Sequence, residues 1–238
     1  MTTLNVNALE PEGATTSMGV GLSGQNTIIG GNTIKLNTLK DAGGNTLFTS
    51  DGSGNLSSVN SAFGSAMALI QSQTADGDAT ISFTANIDST YTSYLFKFYN
   101  INPVTDGAYF QFQAGSGTYD TTTTTTYFHA EMSEGGADPS LANIPAETQA
   151  QGTDFQSINY NIGNGGDESM AGELYLFNPA STTYAKNFYS RAICHIAGDR
   201  IYNSYMSGYF DTTSAITQVQ FKMDSGNFDG IIKMFGVK

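Results

Sequence analysis

The stretch that most constrains the fold is the closing one, Ala215 to Lys238, AITQVQFKMDSGNFDGIIKMFGVK. Ile216, Val219, Phe221 and Met223 are apolar, and Gln218, Gln220, Lys222 and Asp224 fall between most of them. A period of two is the mark of a strand with one buried face. Ser225-Gly226-Asn227 supplies turn chemistry, since Gly and Asn tolerate positive φ. A second strand follows, from Ile231 to Val237, with more apolar weight than any other segment of its length. The two strands predict a hairpin that closes a sheet, with the final strand central in it.

Similar segments recur upstream. Met67–Gln71 and Ala79–Thr84 flank the Asp76-Gly77 turn signal. Tyr94–Ile101 (YLFKFYNI) and Ala108–Ala114 (AYFQFQA) alternate with aromatics. Tyr127–Met132, Phe155–Ile162, Met170–Phe177, Phe188–Ile196 and Ile201–Phe210 complete the set. Roughly ten short segments separated by Gly, Asn and Thr turns predict an all-β fold, with a jelly-roll β-sandwich over residues 66–238. Two connections read as long loops, Ser133–Gly152 and Gly115–Thr126, whose six consecutive threonines, Thr121–Thr126, fit an exposed edge strand equally well.

Residues 1–65 differ. They are rich in Gly, Thr, Asn and Ser, and Phe48 and Phe63 are their only aromatics. Asp41-Ala42-Gly43-Gly44-Asn45 and Asp51-Gly52-Ser53-Gly54-Asn55 are two similar turns ten residues apart. The segment has strand-sized pieces but too few apolar side chains to close a core alone. Two readings fit it: a flexible linker, or an intertwined β segment for oligomerisation and attachment, wound with other copies about a shared axis. The spacing of its apolar residues favours the second.

Composition excludes several functions. Net charge is −12, with 9 Lys and Arg against 21 Asp and Glu. Such a surface repels phosphate backbones, so no nucleic-acid partner is expected. No run of about 18 apolar residues suggests membrane insertion, and the first residues show no signal-peptide pattern. Cys194 is the single cysteine. Its neighbour His195 points to the opposite face of a strand, so Cys194 reads as a small buried hydrophobe rather than a nucleophile.

No motif carries catalysis. His129 and His195 lack metal-ligand spacing, and the Asp-Gly turns lack the spaced acids of a calcium loop. Gly163–Asp167 has no following Lys and is not a phosphate loop. The expectation is a non-enzymatic protein with no cofactor and no metal. Asp106, Glu131, Glu134 and Asp154 lie near aromatics, the raw material of a glycosidase pair, but nothing in the sequence fixes their separation. Sugar sites on β folds combine flat apolar rings with amides and carboxylates. Tyr119, Tyr127, Phe128, His129 and Tyr160 lie in or beside the long loops. Each taken singly fits core or rim packing better. As a group, Tyr119, Tyr127, Phe128 and His129 form the candidate ligand-binding set.

The segments Leu4–Gly31 (LNVNALEPEGATTSMGVGLSGQNTIIGG) and Asn32–Phe63 resemble the Gly/Thr-rich starts of tailed-bacteriophage fibre and virion proteins, marine phages among them. Ala68–Thr84, Tyr94–Gln113 and the closing FDGIIKMFGVK resemble the jelly-roll tips of such fibres. The resemblance implies a virion structural protein made in the host cytoplasm. It implies a homotrimer that attaches to other virion proteins through its N-terminal segment and contacts a host surface glycan through its knob. Long repetitive shafts and histidine-rich metal-threading repeats are missing. A short tail fibre, a spike or a capsid decoration protein is therefore implied. A carbohydrate-binding module and a polysaccharide depolymerase are the alternative readings.

Overall fold

The computed structural model describes residues 38–53, 55–59, 66–137, 139–196 and 198–238. The chain divides into two compact units, Met1–Phe63 and Gly64–Lys238. Within the first, strands β1 (Thr38–Lys40), β2 (Thr46–Ser50) and β3 (Leu56–Val59) form an antiparallel meander. Its two turns are built alike. Asn45 donates its backbone N–H to Asp41 Oδ1 at 2.8 Å and its amide to Asp41 Oδ2 at 3.0 Å. Asn55 does the same with Asp51, at 3.1 and 2.8 Å. Both carboxyls are held below the usual aspartate range, mainly by these hydrogen bonds. The intertwined oligomer expected of residues 1–65 rests largely on residues 1–37, which lie outside the described residues.

The second unit holds the remaining strands. They are β4 (Met67–Asp78), β5 (Thr80–Phe83), β6 (Ser93–Pro103), β7 (Ala108–Gly115), β8 (Thr123–Ser133), β9 (Ser140–Asn143) and β10 (Ala150–Gly152). After these come β11 (Gln156–Ile162), β12 (Met170–Phe177), β13 (Lys186–Ile196), β14 (Arg200–Phe210), β15 (Gln218–Met223) and β16 (Phe228–Val237). All their pairings are antiparallel, as short polar connections favour. One arm runs β4-β16-β6-β12-β13, and β14 and β8 extend it beyond β13. The other runs β11-β7-β15-β5.

The two arms are not separate layers. Ile162 of β11 pairs with Ile196 of β13, and this joins all 13 strands into one sheet. The expected jelly-roll β-sandwich is therefore corrected: the fold is all-β, but a single, nearly closed barrel-like sheet replaces two stacked sheets. Its seam lies between β4 and β5, where no ladder forms and Gln73 Nε2 donates to Ser82 O at 2.8 Å instead. The physical reason is register, which period-two patterning does not encode across strands distant in sequence. The virion, tail-fibre, decoration, host-attachment and homotrimer expectations conflict with the continuous sheet in so far as they are carried by a jelly-roll tip; their other support lies largely in residues 1–37, outside the described residues.

Alternation decides which side chains enter. Along β13, Phe188, Ser190, Ala192, Cys194 and Ile196 are buried, while Asn187, Tyr189, Arg191 and Ile193 face out. The core centres on Phe221 of β15, which is wholly buried. Its ring packs against Phe83, Phe96, Phe98, Phe110 and Phe112, with centroids 5.3 to 6.4 Å apart. Most of these contacts are edge-to-face or offset, as aromatic quadrupoles prefer. The final strand β16 is central as expected, between β4 and β6, but the expected hairpin with β15 does not form, because β15 pairs with β5 and β7 instead.

The two long connections are partly ordered into strands. The threonine run enters β8 at Thr123, where Thr123 and Thr125 are buried on the inner face. Branched side chains suit a pleated surface, and Thr125 Oγ1 satisfies its polarity by donating to Gln156 Oε1 at 2.7 Å. The Ser133–Gly152 stretch contains β9, a 3-10 turn at Pro145–Glu147 and β10.

Candidate functional site: a polar, aromatic cleft

The four residues expected to bind ligand fall in three places. Successive side chains of β8 alternate, so Tyr127 and His129 point inward and Phe128 outward. Tyr127 is fully buried, its ring edge-on to Tyr160 at 5.8 Å, and burial pushes its phenol far up. His129 is buried as well, with Nδ1 2.8 Å from Tyr160 Oη and its ring against Tyr202 at 4.3 Å. Burial lowers the His129 pKa and raises that of Tyr160. The phenol thus keeps its proton beside a neutral imidazole, and the ring tautomer sets which of the two donates. Phe128 stacks on Tyr205 at 5.0 Å on the outer surface. Cys194 is inside, its thiol pushed up to about 12 by burial. Among the described residues no group of three or more His, Cys, Asp and Glu is placed to share a metal ion.

Tyr119 lies elsewhere, at a cleft of about 720 Å³ on the outer face of β11, β7 and β15. Alternation builds its floor. Phe110 and Phe112 of β7 enter the core, which turns Tyr109 and Gln111 outward. On β15, Phe221 and Met223 enter and Lys222 faces out, directly opposite Gln111 in the ladder. Asp224 closes this end: Tyr109 N–H donates to its Oδ1 at 2.8 Å, and its own N–H donates to Tyr109 O at 3.0 Å.

The walls come from the two long connections. Tyr119 belongs to the first, and Ala146 to Gln149 and Thr153 to Phe155 line the other side. Buried amides hold these walls in place. Gln113 Nε2 donates to Thr121 O, Thr153 O and Asp154 O at 3.0 to 3.2 Å. Gln156 Nε2 donates to Glu147 O at 2.8 Å. Carbonyls of irregular backbone that would otherwise be orphaned are thereby satisfied. The cleft wall is fixed by side chains of the sheet rather than left to the loop.

Charge and aromaticity converge here. Lys222 Nζ sits 4.6 Å from the centroid of the Phe155 ring, a cation–π arrangement. Tyr109 packs edge-on to Tyr160 at 5.6 Å. Its phenol pKa is raised first by burial and then by the charges of Glu147 and Asp224, so it stays protonated and can donate. The cleft thus presents phenols, amides, one ammonium and the carboxylates of Glu147, Asp154 and Asp224. Of these, sequence patterning singled out Tyr119, and Asp154 among the acids near aromatics. Tyr109, Glu147, Phe155, Lys222 and Asp224 went unmarked, because they come from segments far apart in the chain.

No protein-family model matches the chain, and neither does any curated protein or solved structure.

Proposed function

We propose that this protein is a carbohydrate-binding β-domain that takes a neutral saccharide in the cleft. The observation that carries the reading is the meeting of Tyr109, Tyr119 and Phe155 with Lys222, Gln111, Glu147 and Asp154 in one concave site. Rings offer flat apolar surface to sugar C–H faces, and the polar groups can exchange hydrogen bonds with hydroxyls. Concave sites with a few convergent polar groups are the usual form of small-ligand recognition. Three carboxylates against one ammonium disfavour an anionic sugar. Binding without hydrolysis is the reading proposed.

The reading is tested by screening the full chain against an array of neutral oligosaccharides, followed by calorimetry on the best one. Tyr119→Ala and Lys222→Ala are expected to weaken binding about tenfold each while the melting temperature stays unchanged. If neither change affects the bound saccharide, the cleft is not the site. Release of reducing sugar during the titration would show a hydrolase instead.

A further inference from the structure

A second surface lies on other strands and does not depend on the cleft. On the outer face, side chains stand in cross-strand register. Lys233 of β16 faces Lys97 of β6, which faces Glu173 of β12, which faces Arg191 of β13, which faces Tyr205 of β14. Arg191 sits at an exposed position between buried Ser190 and Ala192, which places the row outside. Three cations from a chain of net charge −12 are therefore gathered on one line.

The arrangement costs stability in isolation, because like charges directly opposite each other on a sheet repel. Lys97 and Lys233 are such a pair. The carboxylate in the row, Glu173, is 3.9 Å from Lys97. Arg191 and Lys233 form no ion pair with a carboxylate among the described residues. Each rests instead on an aromatic ring: Lys233 is 5.4 Å from the centroid of Tyr99, and Arg191 is 5.5 Å from that of Tyr205. Arg191 Nε donates to Asn203 Oδ1 at 3.2 Å, which fixes the guanidinium while its terminal nitrogens remain available for a two-pronged contact with an anion.

A groove interrupts the row. The residue on this face beside Glu173 is Ala171, exposed and opposite Ile193 in the ladder. Its short side chain leaves a space of about 310 Å³ bounded by Lys97, Tyr99, Glu173, Arg191 and Ile193. Neighbouring strands are about 4.8 Å apart, so the three cations span roughly 14 Å. That length suits a polymer carrying repeated anionic groups better than a single small anion.

We propose that this row and groove bind an acidic polysaccharide, with carboxylates or sulfates on the cations and a sugar ring against Tyr99. A nucleic acid would bring far more phosphate charge than three cations neutralise, against an otherwise acidic molecule. An acidic peptide would leave the ring of Tyr99 without a matching flat partner.

The test titrates the full chain with polygalacturonate, dextran sulfate, uncharged dextran and polyglutamate. Polygalacturonate or dextran sulfate is expected to bind, more weakly as salt rises, and the two arms separate carboxylate from sulfate recognition. Polyglutamate is expected not to bind, and any dextran binding should be lost in Tyr119→Ala and kept in the triple variant, which assigns it to the cleft. The combined Lys97→Gln, Arg191→Gln and Lys233→Gln variant should lose about tenfold or more in affinity. Glu173→Gln should tighten binding, a gain that misfolding cannot imitate. Tyr119→Ala, in the cleft, should leave polyanion binding unchanged. The proposal is overturned if the triple variant binds like the parent, if Glu173→Gln weakens binding, if Tyr119→Ala abolishes it, or if polyglutamate binds as well as the polysaccharides.

Discussion

Phe221→Ala is expected to be the most damaging single truncation in the barrel. The ring is wholly buried and touches five other phenylalanine rings contributed by β5, β6 and β7. A phenylalanine buries roughly 150–250 Å², and at about 25 cal/mol per Å² its removal costs about 4–6 kcal/mol. That is an upper bound, since the unfolded chain already shelters some apolar surface. Cavity data for Phe→Ala give about 3–5 kcal/mol, so about 4 kcal/mol is expected. For a unit of this size each kcal/mol shifts the melting temperature by about 2–4 °C, giving a drop of about 8–16 °C. Circular dichroism during heating, with urea unfolding alongside, measures it. Phe128→Ala is the comparator. Its ring is 43 % exposed and stacks only on Tyr205, so its cost should stay below about 1.5 kcal/mol. If the two variants melted together, Phe221 would not be the centre of the core.

Other predictions follow from single features. The His129 pKa is lowered from 6.5 by burial, so the unfolded chain binds the proton more readily. This group should leave stability unchanged above about pH 6.5 and lower it as pH falls through the depressed folded value. In urea titrations, His129→Gln should therefore lose less stability than the parent between about pH 7.5 and pH 5. Gly208→Ala should destabilise by about 1–3 kcal/mol, because the new methyl would run into Thr124 O and Thr125 Cγ2 across the β14–β8 ladder; thermal melting reads this directly. Ending the chain after Gly226 removes β16, which pairs with both β4 and β6. It should abolish the cooperative melting transition, and an unchanged transition would contradict the topology.

The strands were legible where local pattern alone decides them. The period-two aromatics of Ala108–Ala114 and the alternation of Gln218–Met223 gave β7 and β15, and the twin Asp…Asn turns were visible as a repeat. The closure was not legible, because it depends on Ile162 meeting Ile196 and on β16 inserting between β4 and β6, pairings that no local pattern specifies. The threonine run reads equally as a loop or an exposed edge strand; in the fold its second half enters β8, and Thr125 buries its hydroxyl against Gln156. Of the candidate site, loop aromatics pointed to Tyr119. Tyr127 and His129 sit beside the same loop, but alternation along β8 turns them into the core. Lys222 and Asp224 meet Tyr109 and Gln111 across more than a hundred residues of chain, through ladder register alone.

The most direct test of the cleft is a nuclear magnetic resonance titration of the isotope-labelled chain with the neutral oligosaccharide that binds best. The account predicts saturable shifts centred on Tyr109, Gln111, Tyr119, Phe155 and Lys222, with Phe128, Arg191 and Lys233 unmoved. Shifts clustered on the outer row, or no saturable shift at any of these residues, would contradict it.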